Sequence, residues 1–151
     1  MSQSIRLATP EDVPAVARLV REAYAPYVAR IGREPGPMGD DYAGLVAAGR
    51  VRVSEDAARG LCGVLVLVPQ EDAMLLDNIA VAPGAQGLGV GRQLLTEAEA
   101  VARTAGFERM RLYTHEKMVE NVALYTRIGY RETHRVSEKG FDRVYMEKPL
   151  F

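Results

Sequence analysis

Three glycines stand at alternate positions in Gln86-Gly87-Leu88-Gly89-Val90-Gly91-Arg92, just after the apolar run Met74 to Val81 and just before a helical pattern. Without Cβ atoms, such a loop lets a ligand approach the main chain and admits the positive φ angles of a sharp bend. At a helix start its consecutive N–H groups have no intrahelical acceptor and lie at the positive end of the helix dipole. The chemistry this suits is the binding of a phosphate or pyrophosphate. Two familiar phosphate loops are excluded by spacing. A dinucleotide fingerprint beginning at Gly87 requires glycine or alanine where Arg92 stands, and a nucleoside-triphosphate loop requires Gly-Lys-Ser/Thr, which is not found nearby.

Other chemistry has less support. His115 and His134 are the only histidines, and neither has Cys, His or carboxylate neighbours at zinc-ligand spacing. Cys62 is the sole cysteine and lies in an apolar segment, so it reads as a small core residue without a disulfide or nucleophilic role.

The elements that must position the glycine loop follow from the hydrophobic pattern. Ile5 to Ala8 is a short strand closed by Thr9-Pro10-Glu11-Asp12, where Thr9 caps a helix and Pro10 takes its first position. That helix carries Val13, Val16, Val20, Tyr24 and Tyr27 on one face, and Pro26 is expected to kink or end it. A loop over 32–37 and a second short helix from Asp40 to Ala48 come next. Arg50 to Ser54 alternates like an edge strand, whereas Leu61 to Val68 is continuously apolar and β-branched, the mark of a central strand buried on both faces. Met74 to Val81 is the strand that enters the loop.

After the loop, Val90, Leu94, Leu95, Ala98, Val101, Ala102 and Ala105 recur at helical spacing until Gly106. Arg109 to Thr114 is the next strand. A helix separates it from the strand ending at Val81, so the two are expected to be parallel neighbours joined by a right-handed crossover. Met118 to Gly129 is a short helix closed by its glycine. Tyr130 to Val136 and Phe141 to Lys148 form a closing hairpin.

The pattern Gln86-x-x-Gly89-x-Gly91, preceded by Val81-x-Pro83 and followed a helix and a strand later by Leu124-Tyr125-x-x-x-Gly129-Tyr130, resembles the GCN5-related N-acetyltransferases, the GNAT family. The resemblance extends over essentially the whole chain and implies a single domain over residues 1–151. Its implied fold is α/β (α+β), with a mixed, mostly antiparallel sheet of six or seven strands and helices on both faces. It implies acetyl-CoA as acetyl donor, with the pyrophosphate on the loop formed by Gln86, Gly87, Leu88, Gly89, Val90, Gly91 and Arg92. Pantetheine would lie where the two parallel strands splay apart, pairing with the backbone of Ile79, Ala80 and Val81. Asn121 would hydrogen-bond pantetheine or the base of the coenzyme. Part of the acceptor wall falls on the first two helices, with Tyr24, Tyr27, Arg30, Arg33 and Glu34 as candidates. The acceptor is an amine, no metal takes part, and a homodimer is a further expectation from the family.

Acyl transfer from a thioester to an amine requires a held thioester, a neutral amine, a polarised carbonyl and a proton for the leaving thiolate. Tyr125 can supply that proton: an unperturbed phenol titrates near about 10, slightly above a thiol at about 8.5. Tyr125 can equally be a packing residue between Leu124 and Ile128. For the base, Asp77 lies on the strand before the loop and His115 and Glu116 follow the strand after it, and any of the three can relay a proton through water. The first reading is therefore an N-acetyltransferase acting on a primary amine. The rival from another class is a non-catalytic acyl-CoA binding or sensing module, and a third is a phosphate-ligand protein unrelated to CoA.

Composition is consistent with this. The chain has 151 residues, 48% hydrophobic and 26% charged, an ordinary globular profile. A net charge of -1 offers no general attraction to nucleic acid or membrane surfaces. The opening Met1-Ser2-Gln3-Ser4-Ile5-Arg6 lacks a signal-peptide apolar stretch, and no run of about 18 apolar residues exists for a membrane span. A cytoplasmic protein is the expectation.

Overall fold

The computed structural model describes residues 3–151. Its elements in chain order are strand β1 (Gln3–Leu7), helix α1 (Val13–Ile31), helix α2 (Tyr42–Ala47), and strands β2 (Val51–Asp56), β3 (Gly60–Pro69) and β4 (Met74–Val81). Helix α3 (Val90–Thr104), strand β5 (Arg109–His115), helix α4 (Val119–Arg127) and strands β6 (Arg131–Glu138) and β7 (Phe141–Pro149) complete the chain. The seven strands form a mixed, mostly antiparallel sheet in the order β1-β2-β3-β4-β5-β7-β6. The chain divides into two compact units: β1 through Leu67 with Asn78–Ala98, and Val68–Asp77 with Glu99–Phe151.

In the first unit, β2 pairs antiparallel with β1 from Gln3↔Asp56 to Leu7↔Arg52, and with β3 on its other side. The expectation of an edge strand at Arg50 to Ser54 is therefore corrected. Alternation there reflects the two differently covered faces of an interior strand, because the N-terminal strand takes the outer position. Cys62 through Leu67 are buried without a break, as a strand covered on both faces requires.

Helix α1 is preceded by a single 3-10 turn, Pro10–Asp12, in which the Asp12 carboxylate accepts from the Thr9 amide at 2.7 Å. The helix continues through Pro26 to Ile31 and closes on Gly32 at φ 90°. Proline removes one helical hydrogen bond, but Glu22 and Pro26 are both exposed, so water can satisfy the carbonyl left without a donor.

Helices cover both faces of this part of the sheet. A Cβ on Gly63 would meet Leu94 Cδ1 at 2.7 Å and Val90 Cγ1 at 2.9 Å, so α3 rests directly on the β3 backbone there. Val81 faces the same helix, 3.6 Å from where a Cβ on Gly91 would lie. Asn78, on the opposite side of β4, is reached by Tyr24 of α1 and Tyr42 of α2.

In the second unit, β4 and β5 are parallel, registered from Met74↔Met110 to Leu76↔Leu112, as a strand–helix–strand crossover demands. The closing hairpin does not simply extend the sheet. β7 inserts between β5 and β6, pairing with β5 from Arg109↔Pro149 to His115↔Arg143, and β6 becomes the edge. Met110, Leu112, Val144 and Met146 are buried on one face, while Arg111, Tyr113, Tyr145 and Glu147 lie on the other. Among the described residues no helix is long and apolar enough to cross a membrane.

Candidate functional site

The glycine loop begins where β4 ends. The Ala82 amide donates to the Cys62 carbonyl at 2.8 Å, holding the exit of β4 against β3. A 3-10 turn, Pro83–Ala85, closes with an Ala85 amide to Ala82 carbonyl bond of 2.9 Å and buries the Ala85 methyl. Gln86 to Gly89 then form an exposed turn in which Gly87 and Gly89 have φ of 82° and 84°. A side chain at either position would strain the backbone, although open space surrounds both. Val90 plugs the helix start into the core at 1% exposure, so only its backbone is available to a ligand. A Cβ on Gly91 would make an ordinary contact with Val81 at 3.6 Å, so packing alone does not require glycine there.

Among the described residues, no backbone hydrogen bond takes up the N–H groups of Gly87, Leu88, Gly89, Val90, Gly91 or Arg92. They open onto the positive end of a 15-residue helix, with the Gln86 and Arg92 side chains exposed beside them. An anion is the ligand this electrostatic arrangement favours.

The strand leading into the loop is anchored by contacts that the sequence pattern did not reveal. The Tyr24 hydroxyl lies 2.7 Å from Asn78 Oδ1 and 3.2 Å from the Ile79 carbonyl, and Asn78 Nδ2 donates to the Tyr42 hydroxyl at 3.0 Å. Asn78 is 2% exposed, so this bonding satisfies a buried amide that would otherwise be costly. Tyr24, a candidate for the acceptor wall, is thus a tie between α1 and β4. The one available signal was a polar residue, Asn78, inside an apolar run. Ala80 is buried, and Ile79 and Val81 are half-buried. Tyr27 carries the Arg30 guanidinium 5.1 Å from its ring centre, while Arg33 and Glu34 lie in the exposed loop after α1.

In the second unit, Asn121 sits half-buried in the first turn of α4, its amide donating to the Met118 carbonyl at 3.0 Å. Tyr125 is 5% exposed, and its ring meets Tyr130 edge-on at 5.8 Å. Its carbonyl accepts from the Tyr130 amide at 3.0 Å, and Gly129 at φ 109° makes that reversal possible. The Tyr130 hydroxyl is buried without a hydrogen-bond partner among the described residues, and burial pushes its phenol well above the usual tyrosine range.

The candidate bases differ in environment. Burial raises the Asp77 carboxyl above its ordinary value, partly opposed by the Tyr113 hydroxyl, which donates to it at 3.2 Å, and by Arg143. Burial lowers the His115 imidazole; its Nδ1 accepts from the Lys117 amide at 3.1 Å. Glu116 is paired with Arg135 at 3.7 Å. Cys62 is 1% exposed and burial raises its thiol, as suits a core residue.

Comparison with known proteins places these features in a family. The sequence profile of the acetyltransferase (GNAT) family matches residues 17–130, from α1 through the glycine loop to Tyr130. The chain belongs to the GNAT family. The solved PaiA N-acetyltransferase of Thermoplasma acidophilum, in complex with coenzyme A, shares the fold, with a TM-score of 0.81, 21% identity and 99% coverage of both chains. N-alpha-acetyltransferase 80 of Mus musculus is 34% identical over 65 residues, which are 43% of this chain and 19% of that protein. An IAA acetyltransferase of Azospirillum brasilense is 31% identical over 91 residues, 59% of this chain and 60% of that protein. The chain thus spans less than two thirds of either relative. The matched span of this GNAT chain includes Gln86-x-x-Gly89-x-Gly91 on the β4–α3 loop and Leu124-Tyr125-x-x-x-Gly129-Tyr130 at the end of α4.

Proposed function

We propose that this GNAT chain is a single acetyltransferase domain that moves an acetyl group from acetyl-CoA directly to a primary amine. The observation that carries the reading is the run of backbone N–H groups from Gly87 to Arg92, without backbone acceptors, on the family's pyrophosphate signature. In this mechanism the loop and the α3 dipole hold the pyrophosphate, and the backbone of Ile79, Ala80 and Val81 aligns pantetheine. Asn121 hydrogen-bonds the coenzyme. The amine attacks the thioester carbonyl, and Tyr125 protonates the departing thiolate, a transfer for which a phenol near about 10 and a thiol near about 8.5 are well matched.

The test is titration calorimetry with acetyl-CoA, CoA and ATP, followed by thiol release across a panel of primary amines. Both CoA forms should bind and ATP should not. Tyr125→Phe should retain acetyl-CoA binding and lower turnover about tenfold or more, roughly 1.4 kcal/mol in the barrier. Binding without turnover on any amine would favour the acyl-CoA sensing module, and equal binding of ATP would remove the coenzyme assignment.

A further inference from the structure

Several acidic side chains in this protein are neutralised by close basic partners. Asp12, Glu55, Asp72, Glu99, Glu138 and Glu147 each hold an arginine or lysine at 2.7 to 3.2 Å. Asp56, 5% exposed, closes a turn by accepting from the Ala58 and Arg59 amides at 2.7 and 3.2 Å. Asp77 is different. It is half-buried in β4, two residues before the strand segment assigned to pantetheine, and forms no ion pair among the described residues. Among the described residues, its side-chain hydrogen bond comes from the Tyr113 hydroxyl on β5.

The cation that acts on it electrostatically, Arg143, is hydrogen-bonded elsewhere. Arg143 of β7 lies with its Cζ 4.3 Å from the Tyr113 ring centre and donates to Glu138 at 3.1 Å, and the Tyr145 hydroxyl also donates to Glu138. Asp77 is therefore a partly desolvated carboxylate without a counter-ion, faced by one phenol and, at longer range, one guanidinium. Such a group binds a proton more readily than the paired acids around it. Tyr113 also lines a groove of about 580 Å³ with Leu75, Arg111, His134 and Tyr145, so the phenol joins Asp77 to a solvent-accessible surface.

We propose that Asp77 is the general base of the acetyl transfer and that the Tyr113 phenol connects it to the groove, through which the proton reaches water. The assignment rests on the acetyl-CoA reading above. The acceptor arrives as an ammonium ion, R–NH3+, and gives one proton to the Asp77 carboxylate. The neutral amine adds to the thioester carbonyl, forming the C–N bond, and collapse of the tetrahedral adduct breaks the C–S bond. Tyr125 gives its proton to the thiolate and recovers one, through water, from the nitrogen of the adduct. Asp77 returns its proton through Tyr113 to water. The products are the amide, CoA thiol and one released proton.

The test uses the full chain with acetyl-CoA and two probes, n-butylamine, which is an ammonium ion at neutral pH, and hydroxylamine, which is mostly neutral there. Asp77→Asn should lower kcat/KM for butylamine about 100-fold or more, as loss of a general base does, while hydroxylamine loses far less. Acetyl-CoA affinity by calorimetry should not change. Tyr113→Phe removes a hydrogen bond that favours the carboxylate, so the acidic limb of the butylamine kcat/KM profile should move to higher pH. Butylamine turnover by Asp77→Asn within about threefold of wild type across the pH range would overturn the assignment. So would equal losses for the two amines, since a merely structural defect does not discriminate between them. Failure of the wild-type chain to bind acetyl-CoA would instead overturn the underlying reading.

Discussion

Tyr130→Phe is expected to make the protein more stable. The ring is 2% exposed, and its hydroxyl is buried with no hydrogen-bond partner, so folding strips water from the phenolic oxygen and returns nothing. Leaving such a group unsatisfied costs about 1–3 kcal/mol. Removing the oxygen leaves a void on the order of 10 Å³, which at about 24 cal/mol per Å³ costs about 0.2 kcal/mol. The net gain is about 1–2 kcal/mol once the ring's unchanged packing on Tyr125 is allowed for. In urea, with a slope of about 1–3 kcal/mol/M, the midpoint should rise by about 0.5–1 M at constant slope. The melting temperature should rise by about 2–4 °C for each kcal/mol. The effect should grow on the alkaline side. A phenol whose folded value is raised contributes stability that is intact below the unfolded value, near about 10, and lost as pH climbs toward the folded one. Phenylalanine removes that loss. A lower urea midpoint for the variant would refute the reasoning, because it would mean that the hydroxyl makes a favourable bond in solution.

Four further outcomes follow from particular positions. Gly63→Ala places a methyl 2.7 Å from Leu94 Cδ1 and 2.9 Å from Val90 Cγ1 and should destabilise by about 1–3 kcal/mol in urea unfolding, as overpacking does. Gly89→Val forces a branched residue to φ 84°, at a cost of about 1–2 kcal/mol, and should weaken acetyl-CoA binding in calorimetry while the chain still folds. Gly84→Ala, in open space without a positive φ, should bind as wild type. Arg6 hydrogen bonds hold the Asp12 carboxyl at about 2, so its contribution is present above the unfolded value near about 3.9 and lost as pH falls toward 2. Asp12→Asn should therefore flatten the acid arm of stability over that window, with a loss at neutral pH of no more than about 1 kcal/mol given solvent screening.

The parts of this molecule that were legible in its sequence share a short range. The β4 run ending at Val81, the glycine turn, α3 starting at Val90 and α4 closing at Gly129 all came from local demands. These were apolar spacing at a period of about 3.6, a proline that cannot donate, and glycines at φ values other residues resist. Even the parallel pairing of β4 with β5 was readable, because one intervening helix leaves little other choice. Local reasoning does not foresee that α1 runs on past Pro26 to Ile31, or that β2, despite its alternation, is an interior strand.

The candidate site divides in the same way. The residues of the glycine loop, whose coenzyme role is a proposal, stood out by type and spacing, and so did Tyr125 and its glycine. Their surroundings were not. That Asn78 would be bridged by Tyr24 and Tyr42, that Asp77 would meet Tyr113 while Arg143 turned to Glu138, and that the Tyr130 hydroxyl would find no partner are facts about side chains brought together from distant segments.

By itself, then, the sequence determined the order and kind of the elements and the glycine turn between β4 and α3, because backbone conformation is decided within a few residues. Only the tertiary structure decided that β1 covers β2, that β7 enters between β5 and β6, and that Asp77 meets the Tyr113 hydroxyl. Strand partners and desolvation depend on surfaces meeting across the fold, and no pattern along the chain encodes those meetings one residue at a time.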